Sequence, residues 1–112
     1  MATPLNVFKT VTYAITNSNA TVYTAPTGFT GIILMAQVTN VTGTDATVTF
    51  SHYDTSAVTE TELVKDFSIP GNDAAGMLTG KLVLETGDSV KAVASANSTL
   101  KITLSVLESL NA

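Results

Sequence analysis

The chain is expected to fold as an all-β, antiparallel two-sheet sandwich, and three features of the sequence lead there. Apolar and polar residues alternate with a period of two over most of the 112 residues. The intervening polar positions are dominated by threonine, a β-branched residue that suits a pleated surface and disfavours helix. Clusters of Gly, Pro, Asn and Asp punctuate the alternation at intervals of about 8–12 residues, the spacing of short strands joined by tight turns.

Each element follows from local pattern. Phe8 to Ile15 alternates through Val11, Tyr13 and Ile15, and Asn17, Ser18 and Asn19 turn the chain. Thr21 to Ala25 forms a short second strand, stopped by Pro26, Thr27 and Gly28. The third strand, Phe29 to Asn40, has a continuous apolar centre at Ile32, Ile33, Leu34 and Met35, which implies burial on both faces or a subunit contact. Thr42 to Asp45 turn next, with Gly43 free to take a positive φ. Ala46, Val48 and Phe50 then alternate with Thr47, Thr49 and Ser51 in a fourth strand that runs to Asp54. Thr55 to Thr61 reads as a loop, and Leu63 to Ile69 as the fifth strand, closed by Pro70, Gly71, Asn72 and Asp73. Ala75 to Leu84, Ser89 to Ala96 and Leu100 to Leu107 complete about eight strands, with Glu85 to Asp88 and Asn97 to Ser98 as turns. Val48, Phe50, Leu82, Leu84, Val90, Ile102 and Leu104 are expected to point inward. The winding is left between jelly-roll and Ig-like.

One domain, residues 1–112, is expected, since the length matches a single core. Within it residues 1–8 form a possible extended N-terminal arm, because Pro4, Leu5, Val7 and Phe8 precede the first strong alternation. Exposed apolar residues in such an arm need a neighbour to cover them, so these four are the candidate partner-binding residues.

Composition excludes several function classes. Hydrophobic residues make up 45% and charged residues 12%, which is the reverse of the disordered signature. With no cysteine, thiolate catalysis and cysteine metal sites drop out, and the fold must hold by packing. Five lysines, no arginine and a net charge of −4 argue against nucleic acid as a partner. The longest apolar stretch, Gly31 to Val38, is too short to cross a bilayer, and the first ten residues lack a leader pattern, so neither membrane association nor export is expected.

Candidate chemistry is sparse. His52 lies two residues before Asp54 on one strand face, but one imidazole and one carboxylate leave a metal shell incomplete, and no nucleophile elbow accompanies them. Glu60 and Glu62 pair carboxylates without a cleft or a central glycine, and read as charges that discourage edge pairing. Gly71 to Asp73 and Gly87 to Asp88 are turns without the helix a phosphate loop requires. The chain is therefore expected not to be an enzyme and to use no cofactor and no metal.

Several strings, taken together, resemble a known family. They are Thr21-Val22-Tyr23-Thr24-Ala25-Pro26-Thr27-Gly28, Val38-Thr39-Asn40 followed by Gly43 and Asp45 to Phe50, and Ile69-Pro70-Gly71-Asn72-Asp73. Leu82 to Ala92 and Leu104 to Glu108 continue the likeness, which covers most of the chain beyond Ala20. The family is that of small virion structural proteins of tailed bacteriophages, especially cyanobacterial and other marine phages. The resemblance implies a non-enzymatic virion protein, foremost a capsid decoration (cement) protein that binds and stabilises the head. A neck, tail or fibre component is the alternative, and a soluble carbohydrate-binding module a further one. It implies the major capsid protein or other virion proteins as partners, a homo-oligomer with a trimer favoured, and a virion location after assembly in the host cytoplasm.

Overall fold

The computed structural model describes residues 6–111. All regular structure among them is β, in nine strands: β1 (Asn6–Ile15), β2 (Ala20–Thr24), β3 (Phe29–Asn40), β4 (Ala46–Asp54), β5 (Thr59–Ile69), β6 (Ala74–Gly76), β7 (Leu82–Leu84), β8 (Ser89–Ala94) and β9 (Leu100–Leu110). Two antiparallel sheets pack as a sandwich. One has the order β1-β9-β3-β6, with β7 also paired to β3, and the other the order β2-β8-β4-β5.

The pairs are nested. β4 pairs β5, β3 pairs β6 and β7, β2 pairs β8 and β1 pairs β9, so the chain is one long antiparallel ribbon rolled up on itself. Such nesting is jelly-roll winding, which decides between the two topologies left open by the sequence.

Nine strands replace the expected eight because the stretch from Ala75 to Leu84 divides. β3 pairs Gln37 with Gly76 and Ile33 with Leu82, leaving five residues, Met77 to Lys81, opposite three of β3. The surplus loops out, anchored by Met77, which is buried and donates its N–H to the Ala36 carbonyl at 2.8 Å. β5 begins at Thr59, within the stretch expected to be a loop. A strand at the edge of a sheet and exposed along most of its length needs no apolar alternation, so the pattern rule missed its first turns of pleat.

The interior is formed by alternate residues of both sheets. Val48, Phe50, Leu84, Val90, Ile102 and Leu104 are at most 1% exposed, as expected, whereas Leu82 on the short strand β7 is only half-buried at the core's rim. Gly28 and Gly87 hold their turns at φ 84° and 85°. Gly43 does not use its freedom to take a positive φ; in the neighbouring turn it is Asn72 that adopts one, at φ 61°. Gly71 beside it is there for space, since a Cβ would lie 2.4 Å from the Gly43 carbonyl carbon.

Candidate functional site: the outer face of the five-stranded sheet

Strand parity sends alternate residues of β1, β9, β3 and β7 away from the core. Register then lines them up. Phe8 lies opposite Leu107, Leu107 opposite Ile32, and Ile32 opposite Val83, so four apolar side chains cross the whole outer face in one row. Phe8 is 75% and Val83 57% exposed, while Ile32 and Leu107 in the middle are half-buried by their neighbours. The next row runs Thr10, Ser105 and Met35, and Met35 is also exposed.

A register shift between Ile33 and Met35 explains the apolar run in β3. Ile33 fills the core, Leu34 is the extra residue of the bulge, and Met35 resumes on the outside. Leu34 joins Phe8, Lys9, Thr10 and Ser105 in lining a shallow depression beside the apolar row.

The rest of the face is neutral. Below the apolar row stand Thr12, Thr103 and Gln37, then Ala14, Lys101 and Thr39. Lys101 is the one charged side chain that the described strands present there. Four strands about 4.8 Å apart and five rows about 6.8 Å apart give roughly 600 Å² of nearly charge-free surface. The four-stranded sheet differs: Lys91 on its outside lies 3.8 Å from Glu60 and 5.6 Å from the centroid of the Tyr53 ring.

The residues that could carry chemistry are engaged in holding loops and strands. His52 approaches Asp88 at 3.4 Å rather than Asp54. The buried Asp88 carboxylate also accepts the N–H groups of Thr55 and Glu85, tying the β4–β5 and β7–β8 loops together. Carboxylate oxygens of Asp54, Glu85 and Asp88 lie within 4.8 Å of one another. Asp54 is occupied by its own loop: it accepts the Ser56 hydroxyl and the N–H groups of Ser56 and Ala57, and these bonds, the hydroxyl's foremost, lower its pKa. Glu60 accepts both contacts of the Asn19 amide, so it staples the β1–β2 turn instead of facing Glu62 across a site.

Inside the sandwich, Tyr23 donates to buried Glu108 at 2.5 Å, and Lys9 closes on the other carboxylate oxygen at 3.3 Å. Burial, reinforced by Glu108, pushes the Tyr23 phenol well above its ordinary value. Of the candidate partner-binding residues, Pro4 and Leu5 lie outside the described residues. Val7 and Phe8 belong to β1, paired with Glu108 and Leu107, so residues 6–8 of the expected arm start a strand of the sheet. Phe8 faces outward, at the end of the apolar row. Ile32 and Met35 belong to the apolar run that the sequence assigns to burial on both faces or a subunit contact, whereas Leu107 and Val83 were not singled out as contact residues, because only the register brings them into line with Phe8.

No family model matches the chain, and no curated protein does. Among solved structures, a chain of the disulfide-linked pili formed by Bacillus endospore appendages is 15% identical, with a TM-score of 0.57 covering 96% of this chain and 88% of that one. A pentameric capsid protein isolated from metagenomic phage sequences is 13% identical, with a TM-score of 0.42; the match covers 90% of this chain and 60% of that one. The extra small virus of the giant freshwater prawn Macrobrachium rosenbergii gives 15% identity and a TM-score of 0.44, covering 96% and 81%. The pilus likeness shows a shared fold and no more; the other two are too remote to carry an argument.

Proposed function

We propose that the chain is a non-enzymatic structural subunit of a bacteriophage virion, a capsid decoration protein that docks on the major capsid protein through the outer face of its five-stranded sheet. The observation that carries the reading is that face: a two-layer sandwich with an apolar row across one outer surface, whose strands present one lysine, Lys101, with Lys81 of the β6–β7 loop beside Met35 and Gln37. Depletion of charge distinguishes the centre of protein interfaces from ordinary surface. At roughly 600 Å² the face approaches the ~800 Å² that each partner contributes to a standard interface.

Three further points support it. The strings of the sequence from Thr21 onward resemble virion structural proteins of tailed phages. The fold is shared with the subunit of a pilus, itself an assembly protein. The sequence has no cysteine, so contacts between copies come from non-covalent surfaces and not from disulfides like those of the pili, which is compatible with assembly in a reducing cytoplasm.

Quantitative mass spectrometry of purified particles tests the reading. A decoration protein is expected at a copy number comparable with the major capsid protein. A few copies per particle would favour the neck, tail or fibre alternative, and absence from particles would overturn the virion reading.

A further inference from the structure

We propose that the outer edge of β1, which no other described strand pairs, is a seam between two copies of this chain, pairing antiparallel with the partner's β1 so that two five-stranded sheets become one continuous sheet. The inference concerns contact between copies and does not rest on the virion reading.

The four edge elements differ in how they are guarded. An edge strand presents unpaired N–H and C=O groups, and proteins blunt it with charge, bulges, proline or brevity. β5 carries Glu60, Glu62, Lys65 and Asp66, two register shifts against β4, and a left-handed Asp66 at φ 49°. β2 is five residues long and shifts register between Thr21 and Tyr23. β6 and β7 are three residues each, separated by the Met77–Lys81 loop. β1 has one lysine and none of the other guards. It runs ten residues, Asn6 to Ile15, paired residue for residue with β9 without a shift and without proline or glycine. Its one charge, Lys9, is directed to Glu108.

The same comparison identifies the occupant. A ten-residue regular edge can be matched along its length only by an equally long regular edge, and among the described strands that is β1 itself. Charge agrees: at a net −4 two copies repel, and β1 adds no carboxylate to the seam, whereas β5 would bring three.

Parity narrows the register. About a two-fold axis normal to the sheet, outward residues must face outward residues. The longest overlaps centre on Thr10, placing Phe8 opposite the partner's Thr12, or on Val11, placing Thr10 opposite the partner's Thr12. Both put threonines across the seam, a favourable cross-strand pairing. An isologous contact of this kind gives a dimer, not the trimer the resemblance favours.

The test is sedimentation equilibrium of the full chain, with three proteins compared. The intact chain is expected at twice its 11.6 kDa mass. Thr10→Lys with Thr12→Lys, at two exposed positions, puts like charges across the seam in either register and is expected to sediment as a monomer with an unchanged circular dichroism spectrum. Thr103→Lys, in the middle of the outer face, is expected to remain a dimer while losing capsid docking, which separates failure of this inference from failure of the proposed function. A monomeric or trimeric intact chain, or a double variant that still dimerises, overturns the seam. Should the double variant unfold, hydrogen exchange of the intact chain decides: β1 amides protected only at high protein concentration support the seam, and concentration-independent exchange refutes it.

Discussion

Two phenylalanines separate the interior from the proposed docking face. Phe50 is fully buried in the middle of the four-stranded sheet, flanked by Ala92 on β8 and Val64 on β5, and is the largest of the fully buried side chains. Phe8 is 75% exposed at the rim of the other sheet. Phe50→Ala removes the buried ring and leaves a cavity, a change that costs about 3–5 kcal/mol out of the roughly 5–15 kcal/mol of a domain. With a urea dependence of about 1–3 kcal/mol per molar, the midpoint falls by roughly 2 M. Phe8→Ala removes a ring that water already reaches, and stability is expected to hold within about 0.5 kcal/mol. Binding reverses the order. If docking buries the Phe8 ring, its loss forfeits about 1.5–3 kcal/mol, a tenfold or greater fall in affinity for particles. Because the chain has no tryptophan, urea unfolding is followed by far-ultraviolet circular dichroism, and docking by co-sedimentation with stripped particles. Equal midpoints for the two variants would refute the assignment of core and face; undiminished docking of Phe8→Ala would refute the face.

Other substitutions probe the turns and the buried polar groups. Gly71→Ala forces a Cβ into the Gly43–Thr44 backbone and is expected to cost about 1–3 kcal/mol, while Gly80→Ala, with open space around it, is expected to be neutral; equal thermal midpoints would contradict this. Asn40 is buried, donates to the Thr44 and Ile69 carbonyls and accepts from the Thr42 N–H and hydroxyl, so Asn40→Leu is expected to lose about 2–4 kcal/mol in urea unfolding. Tyr23 holds its proton more tightly folded than unfolded, so its contribution is complete below about pH 10 and falls by up to ~1.4 kcal/mol per pH unit above it. Tyr23→Phe is expected to flatten that alkaline loss, and an unchanged slope in urea midpoints against pH would contradict it.

What could be read from the sequence was what short-range physics decides. Pro26 to Gly28, Pro70 to Asp73 and Glu85 to Asp88 stop strands through residue chemistry alone, and the structure turns at each. Val48 and Phe50 or Ile102 and Leu104 declare a face because their neighbours are polar. Pattern fails where a strand lacks a dry side, as with Thr59 to Glu62 at the exposed edge of β5. It fails again where a long-range register intervenes. His52 and Asp54 look like partners at a separation of two, yet the pairing of His52 with Val90 carries it to Asp88, and Asp54 turns to Ser56 and Ala57 in its own loop. The apolar row is illegible for the same reason: Phe8, Ile32, Val83 and Leu107 come from four separate strands, each beside another apolar residue (Val7, Ile33, Leu84 and Val106), and only the register aligns them.

The asymmetry between the two sheets ties these observations to assembly. Both outer faces are rich in residues suited to strands, so intrinsic propensity does not tell them apart. Solvation does. The four-stranded sheet places Lys91 against Glu60 and Tyr53, the pairing expected of a face that meets water. The five-stranded sheet covers its outside with threonine, serine and an apolar row, which hold the strand conformation without the charge that keeps a free surface soluble. The same sheet owns the one long edge without a bulge among the described strands, and its single charge, Lys9, is paired with Glu108. A sandwich under selection only for stability gains nothing from concentrating both liabilities in one layer. A subunit whose neighbours cover that layer does, because the face excludes mismatched charge and the edge supplies direction. Phe8 sits at the corner where face and edge meet. Its substitution is therefore expected to weaken docking strongly and dimerisation only slightly, since the face depends on its ring and the seam on its backbone.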